Sequence, residues 1–134
     1  MNKMNKKMEY ALMSLRIITQ KSAGELTTAK EVAEQMHISF ETTARVLQAL
    51  SSRGLLKAEY GVGGGYILAR SLSEVSLHDL SEMLEGHTTL TKCLSSDEAC
   101  EIQSTCNIMS PINNLNKKIQ EFYKSVSLDE VLHV

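Results

Sequence analysis

The chain of 134 residues contains only three cysteines, one proline and no long hydrophobic run. Each scarcity excludes something. An odd number of cysteines, Cys93, Cys100 and Cys106, cannot close a complete disulfide framework. Their C-x6-C-x5-C spacing is too loose for the paired C-x2-C of a zinc knuckle. No apolar stretch approaches the roughly 20 residues that span a bilayer, so no membrane role is expected. Internal repeats and low-complexity tracts are also missing, and the length suits one compact core plus an extra element for an oligomer interface. Lys3, Lys6 and Lys7 resemble the start of a secretion signal, but Arg16, Gln20 and Lys21 break the apolar stretch and no cleavage-type site follows. A cytoplasmic, reducing location is expected, where thiols stay available for metal or redox chemistry. The Gly-rich run at 61–65 is not followed by the Gly-Lys-Ser/Thr of a phosphate loop. No nucleophile–base pair or carboxylate pair stands in a recognisable setting, so the chain is not expected to be an enzyme.

The net charge of −2 hides an asymmetry. Residues 1–70 carry ten Lys/Arg against six Asp/Glu, a balance of +4, whereas residues 71–134 carry four against ten, a balance of −6. A basic first half joined to an acidic second half suggests a polyanion-binding domain with something attached. An acidic total does not exclude DNA binding, because the local face sets the phosphate contacts.

Apolar spacing predicts the elements. Met8, Leu12, Leu15 and Ile18 recur at helical intervals over residues 8–20, with Ala11 and Ile17 widening the stripe. Thr28-x-x-Glu31 has the form of a capping box for a second helix with Val32, Ala33 and Met36 inside. His37-Ile38 is a tight connection. Ser39 then caps a third helix that buries Phe40, Thr43, Val46, Leu47 and Leu50, with Gly54 at its C′ position. Two helices so joined form a helix-turn-helix. Residues 55–60 and 66–69 read as strands about Gly61-Val62-Gly63-Gly64-Gly65, a hairpin wing. Ser76-x-x-Asp79 caps a fourth helix that buries Leu77, Leu80, Met83 and Leu84 and ends at Gly86. A fifth helix is expected from Ser110-Pro111, with the sole proline at N1. Its Ile112, Leu115, Ile119, Phe122 and Val126 form an a/d seam over two heptads, which suits a homodimer contact. Residues 127–134 read as a short terminal turn. The expected fold class is mostly α with a β-hairpin wing: a winged helix-turn-helix domain over 1–86, a cysteine-containing loop over 87–109, and a dimerisation helix with its tail over 110–134.

The stretch between the cysteines has no sustained apolar period, and Glu98 and Glu101 suit solvation of a loop. Three soft thiolates on such a loop suit an iron–sulfur cluster whose remaining ligand comes from elsewhere; another metal, or three unrelated reduced thiols, are the alternatives. On chemistry alone His87 and His37 are further candidate ligands, although a helix end and the helix-turn-helix turn are their ordinary places.

These residues together resemble a known family. Glu9-Tyr10-Ala11-Leu12, Ile38-Ser39 leading to Leu47-x-x-Leu50 and Gly54-Leu55, and the hairpin Gly61 to Ala69 carry the likeness. So do Leu77-x-Asp79 to Glu85-Gly86, the three cysteines and Ser127-Leu128-x-x-Val131. The chain is similar over nearly its whole length to the IscR/NsrR/CymR-like group of bacterial winged-helix transcription regulators. The resemblance implies a homodimer that binds a double-stranded DNA operator, acting as a repressor. It further implies a 2Fe–2S or 4Fe–4S cluster that senses iron–sulfur status, nitric oxide, iron or redox state. Some members lack a cluster and respond to cysteine metabolism, and a cluster-free thiol sensor with a reactive Cys93 is the alternative. Retention of three cysteines points to the cluster-binding branch, with Cys93, Cys100 and Cys106 as ligands. The IscR-like fourth ligand, a histidine, is replaced by Met109; the NsrR-like one, an acidic residue from the partner subunit's first helix, falls on Glu9.

The third helix would lie in the major groove. Ser39, Thr42, Thr43 and Arg45 flank its first turn and are the expected base or phosphate contacts, with Arg45 able to fork onto guanine. Thr28 would present a helix N-terminus to phosphate. Tyr60, Gly61, Gly63 and Gly64 would enter the minor groove. Family wings often carry arginine where this chain has Tyr60 and proline where it has Val62. Their recognition helix often carries Tyr and Glu at the positions of Thr42 and Ala44, so base readout differs from that of IscR.

Overall fold

The computed structural model describes residues 4–86 and 105–134. The first helix, α1 (Lys6–Gln20), begins earlier than its apolar stripe because Asn5 caps it: the Asn5 side-chain oxygen accepts from the Met8 N–H at 3.0 Å. Its inner face buries Met8, Ala11, Leu15 and Ile18. Ser14 is buried with them, and its hydroxyl donates to the Tyr10 carbonyl.

The helix-turn-helix is α2 (Ala29–Met36) followed by α3 (Phe40–Ser52). Thr28 accepts from the Glu31 N–H at 3.1 Å, so half of the expected capping box forms. The other half does not. The Glu31 carboxylate instead takes the Lys21 ammonium at 2.5 Å, since a charge-assisted bond is stronger than one to a neutral N–H. His37 closes α2 in the left-handed region at φ 55, and the Ile38 N–H reaches back to the Ala33 carbonyl. At the far end of α3, Gly54 takes φ 84, the Leu55 N–H bonds the Leu50 carbonyl and the Gly54 N–H bonds the Ser51 carbonyl. This is a Schellman closure, and Leu50 and Leu55 are both fully buried beside it. Phe40, expected inside, is 56% exposed. It lies in the first turn, to one side of the row Thr43, Val46, Leu47 and Leu50 that faces the core.

The wing pairs β1 (Leu56–Glu59) with β2 (Gly65–Leu68), in register Leu56 to Leu68 and Glu59 to Gly65. Thr27 adds an antiparallel bridge to Tyr66, with N–H···O distances of 3.1 and 2.8 Å. Two glycines make these turns possible. A Cβ on Gly64 would lie 2.5 Å from the Glu59 carbonyl oxygen, and one on Gly65 would lie 2.9 Å from that of Thr27.

A 3₁₀ turn (Leu72–Glu74) leads to α4 (Leu77–Glu85), where Ser76 and Asp79 form both halves of a capping box. The helix α5 (Met109–Ser125) starts before the expected Ser110-Pro111. Pro111 therefore occupies the third helical position rather than the first, which still leaves its missing N–H among the unpaired donors of a helix start. Of the expected seam, Ile112, Ile119 and Val126 are half-buried, whereas Leu115 and Phe122 are 47% and 62% exposed. Ile108 continues the exposed row one heptad earlier. The tail is a helix, α6 (Leu128–Leu132), rather than a turn. Leu128 and Leu132 enter the same core as Leu15, Leu47, Leu50 and Leu80.

Leu128 is fully buried in that core. Leu128→Ala is expected to lower stability by about 2–5 kcal/mol in urea unfolding, with a single transition. A loss below about 1 kcal/mol would place α6 outside the cooperative unit.

Candidate nucleic-acid interface

The outer face of α3 follows from its inner one. With Thr43, Val46, Leu47 and Leu50 buried, a turn of about 100° per residue puts Glu41, Arg45, Gln48 and Ser52 opposite. All four are exposed. Arg45 reaches the Glu41 carboxylate at 2.7 Å across one helical turn. Glu41 and Gln48 were not among the expected contacts. Their signal was present in the sequence as the complement of the apolar row.

The expected residues fall in different places. Arg45 stands in the centre of the outer face, and Thr42 is half-buried at its edge. Ser39 is exposed, and its oxygen accepts from the Thr42 N–H at 3.3 Å. Thr28 likewise caps α2 and is exposed. In both, the hydroxyl proton remains to donate outward. Thr43 is a correction. It is fully buried, and its hydroxyl donates to the Ser39 carbonyl at 2.7 Å. Thr43 points into the core because it shares the face of Val46, Leu47 and Leu50, so it cannot contact DNA.

At the wing, Tyr60 is 92% exposed and Val62 stands fully clear at the tip, with Gly61, Gly63 and Gly64 around them. Lys57, the cation nearest the tip in β1, sits 3.6 Å from Glu59. Tyr66, behind the wing, has its phenol pushed above the ordinary tyrosine range by burial and, secondarily, by Tyr60. Lys30, Arg53 and Arg70 are exposed and make no ion pair among the described residues.

The comparisons with known proteins agree with the fold. The Rrf2 profile, described as an iron-dependent transcriptional regulator, matches residues 4–134. The chain belongs to the Rrf2 family. It is 32% identical over 117 residues to the transcriptional regulator NsrR of Oceanobacillus iheyensis, covering 87% of this chain and 78% of that protein. Its fold is similar to that of CymR, the global cysteine regulator of B. subtilis (TM-score 0.74, 22% identity, 99% of this chain and 98% of that one). It is also similar to T. potens IscR (TM-score 0.70, 24% identity, 98% and 87%). The family model is that of transcriptional regulators, whose activity is exercised on DNA.

Of the Rrf2 sensor candidates, Cys93, Cys100 and His87 lie outside the described residues. Cys106 is a free, half-buried thiol just before α5. Met109 opens α5, and His37 sits exposed in the helix-turn-helix turn, apart from it. Glu9 is exposed in the first turn of α1. That turn is tied to the end of α4, since the Asn5 amide donates to the Glu85 carboxylate. No helix among the described residues is long and apolar enough to cross a membrane.

Thr43→Val keeps the shape of the side chain and removes only its hydroxyl. Because the Ser39 carbonyl keeps the Thr43 N–H at 3.1 Å, the stability change is expected to stay within about 1 kcal/mol. Base preference, measured by competition between duplexes, should not change. A shifted preference would return Thr43 to the DNA contacts.

Proposed function

We propose that this chain is a homodimeric repressor whose affinity for a double-stranded DNA operator is set by an iron–sulfur cluster, 4Fe–4S or 2Fe–2S, on its cysteine segment. The donor set carries this reading. Cys93, Cys100 and Cys106 are all the cysteines of the chain and lie within one short segment. Soft thiolates favour such a centre over harder cations. One observation fits it: Cys106 is a free thiol at the segment's far end. Glu9 of the partner subunit would supply the fourth donor, an exchangeable carboxylate. When bound, the group would supply redox and ligand-exchange chemistry that small reactive molecules can reach.

The chain's own residues do the rest. Residues 1–86 carry the DNA-binding unit, 87–109 the sensing segment and 110–134 the dimerisation helix and tail. Arg45 donates to a guanine edge, while Thr28 and Ser39 give hydroxyl and helix-terminal N–H groups to phosphates. Tyr60 and the wing glycines follow the minor groove. The exposed row Ile108, Leu115 and Phe122 packs across the dimer. A cluster-free thiol regulator of the same fold is the second reading, supported by the likeness to the cysteine regulator CymR.

Anaerobic purification separates the two. A cluster protein is expected to be coloured, with visible charge-transfer absorption that Cys106→Ala abolishes and Glu9→Ala alters. Colourless protein with full operator binding would favour the thiol reading. Dimerisation has its own check. Leu115→Glu with Ile119→Glu places charge in the apolar row and is expected to give monomers by light scattering. A folded dimer of unchanged mass would put the interface elsewhere.

A further inference from the structure

The Arg45–Glu41 pair is unusual in where it stands rather than in its strength. Its side chains are 77% and 74% exposed, and a pair so open contributes little to stability. Yet it occupies the centre of the face that α3 offers to DNA. A carboxylate there approaches a phosphate-lined groove, which repels it unless a donor meets it. In the major groove, the exocyclic amino groups of cytosine and adenine are the base donors, and carboxylates suit cytosine N4. Arginine suits the O6 and N7 acceptors of guanine. One G·C pair presents both patterns side by side.

We propose that Glu41 and Arg45 read a single G·C base pair together, making Glu41 a specificity-determining residue of the operator contact. This rests on the reading of α3 as the DNA-reading helix. The Arg45 guanidinium has five N–H donors, and the Glu41 contact at 2.7 Å engages only one terminal nitrogen. Its remaining edge is free to fork onto guanine. The same contact limits the directions that Arg45 can take, which aligns that fork before DNA arrives. Glu41 keeps further lone pairs for the cytosine amino group, so the carboxylate both aims the arginine and tests the opposite base. A·T pairs fail the test because adenine offers N7 with a donor beside it where guanine offers two acceptors, and thymine offers no donor.

The test is selection from a randomised duplex library by the full chain, purified anaerobically, as wild type, E41A and R45A. The wild type should enrich a motif with a G·C pair in each half-site. Both variants should lose preference at that same pair, by about 10- to 100-fold in competition binding, while other positions keep theirs. E41A should also bind arbitrary duplex at least as tightly as the wild type, because a negative charge has left the face. E41A that keeps the wild-type preference everywhere, or loses it at a different pair from R45A, overturns the assignment and leaves the DNA-reading role of α3 intact. A wild-type chain that enriches no motif overturns that role, and the assignment with it.

Discussion

Two backbone hydrogen bonds tie the entry to α4 to the junction between α5 and α6. The Leu77 N–H donates to the Val126 carbonyl and the Leu128 N–H to the Val75 carbonyl, both at 2.8 Å, on either side of the Ser76–Ser127 bridge. The start of α4 and the end of α5 are thereby joined, between a capping box on one side and the buried Leu128 on the other. The pairing keeps these backbone groups satisfied where Val75 and Leu128 are fully buried, which an unpaired crossing could not do. From it α6 continues beneath α1, where the Arg16 guanidinium donates to the Leu132 carbonyl. The tail is thus a structural component of the core that α1 and α3 share.

Near that junction, α1 and α4 are the elements that pack onto α3. Both pack directly on α3 through core side chains, Leu15 and Leu80 against Val46, Leu47 and Leu50. Both also meet at the base of the cysteine segment through Asn5 and Glu85. The helices that make that contact themselves pack on α3. A rearrangement at the end of α4 has a packed route to α3, and close-packed interiors transmit displacement rather than absorb it.

What the sequence made legible was local. Thr28, Ser39 and Ser76 could be identified as caps because a cap and its N–H partner lie three residues apart. Gly54 could be placed because the left-handed closure of a helix selects glycine. The misses share the opposite property. Glu31 left its capping box for Lys21, ten residues back, and Thr27 paired with Tyr66 across the fold. Neither partner can be found from spacing. Residues 127–134 lack the length to show a helical period, so the burial of Leu128 was hidden. Thr43 was a different error: periodicity already placed it inside, and its hydroxyl was nonetheless counted as a DNA contact. Glu41 is the converse, exposed by the same periodicity yet absent from the basic and hydroxyl candidates.

The charge arrangement also has a physical sense that the net balance conceals. Residues 1–70 have an excess of cations, yet among the described residues three of them are engaged by carboxylates: Lys21 by Glu31, Arg45 by Glu41 and Lys57 by Glu59. A cation so paired attracts phosphate less, and phosphate attraction is what binds DNA of any sequence. Lys30, Arg53 and Arg70 are among the exposed cations that make no ion pair within the described residues. A regulator must find its operator among a great excess of other sites, so the ratio of specific to non-specific affinity matters more than either alone. Pairing the exposed Arg45 with Glu41 lowers its pull on phosphate, so the outer face of α3 adds less to the non-specific term than its cation content suggests.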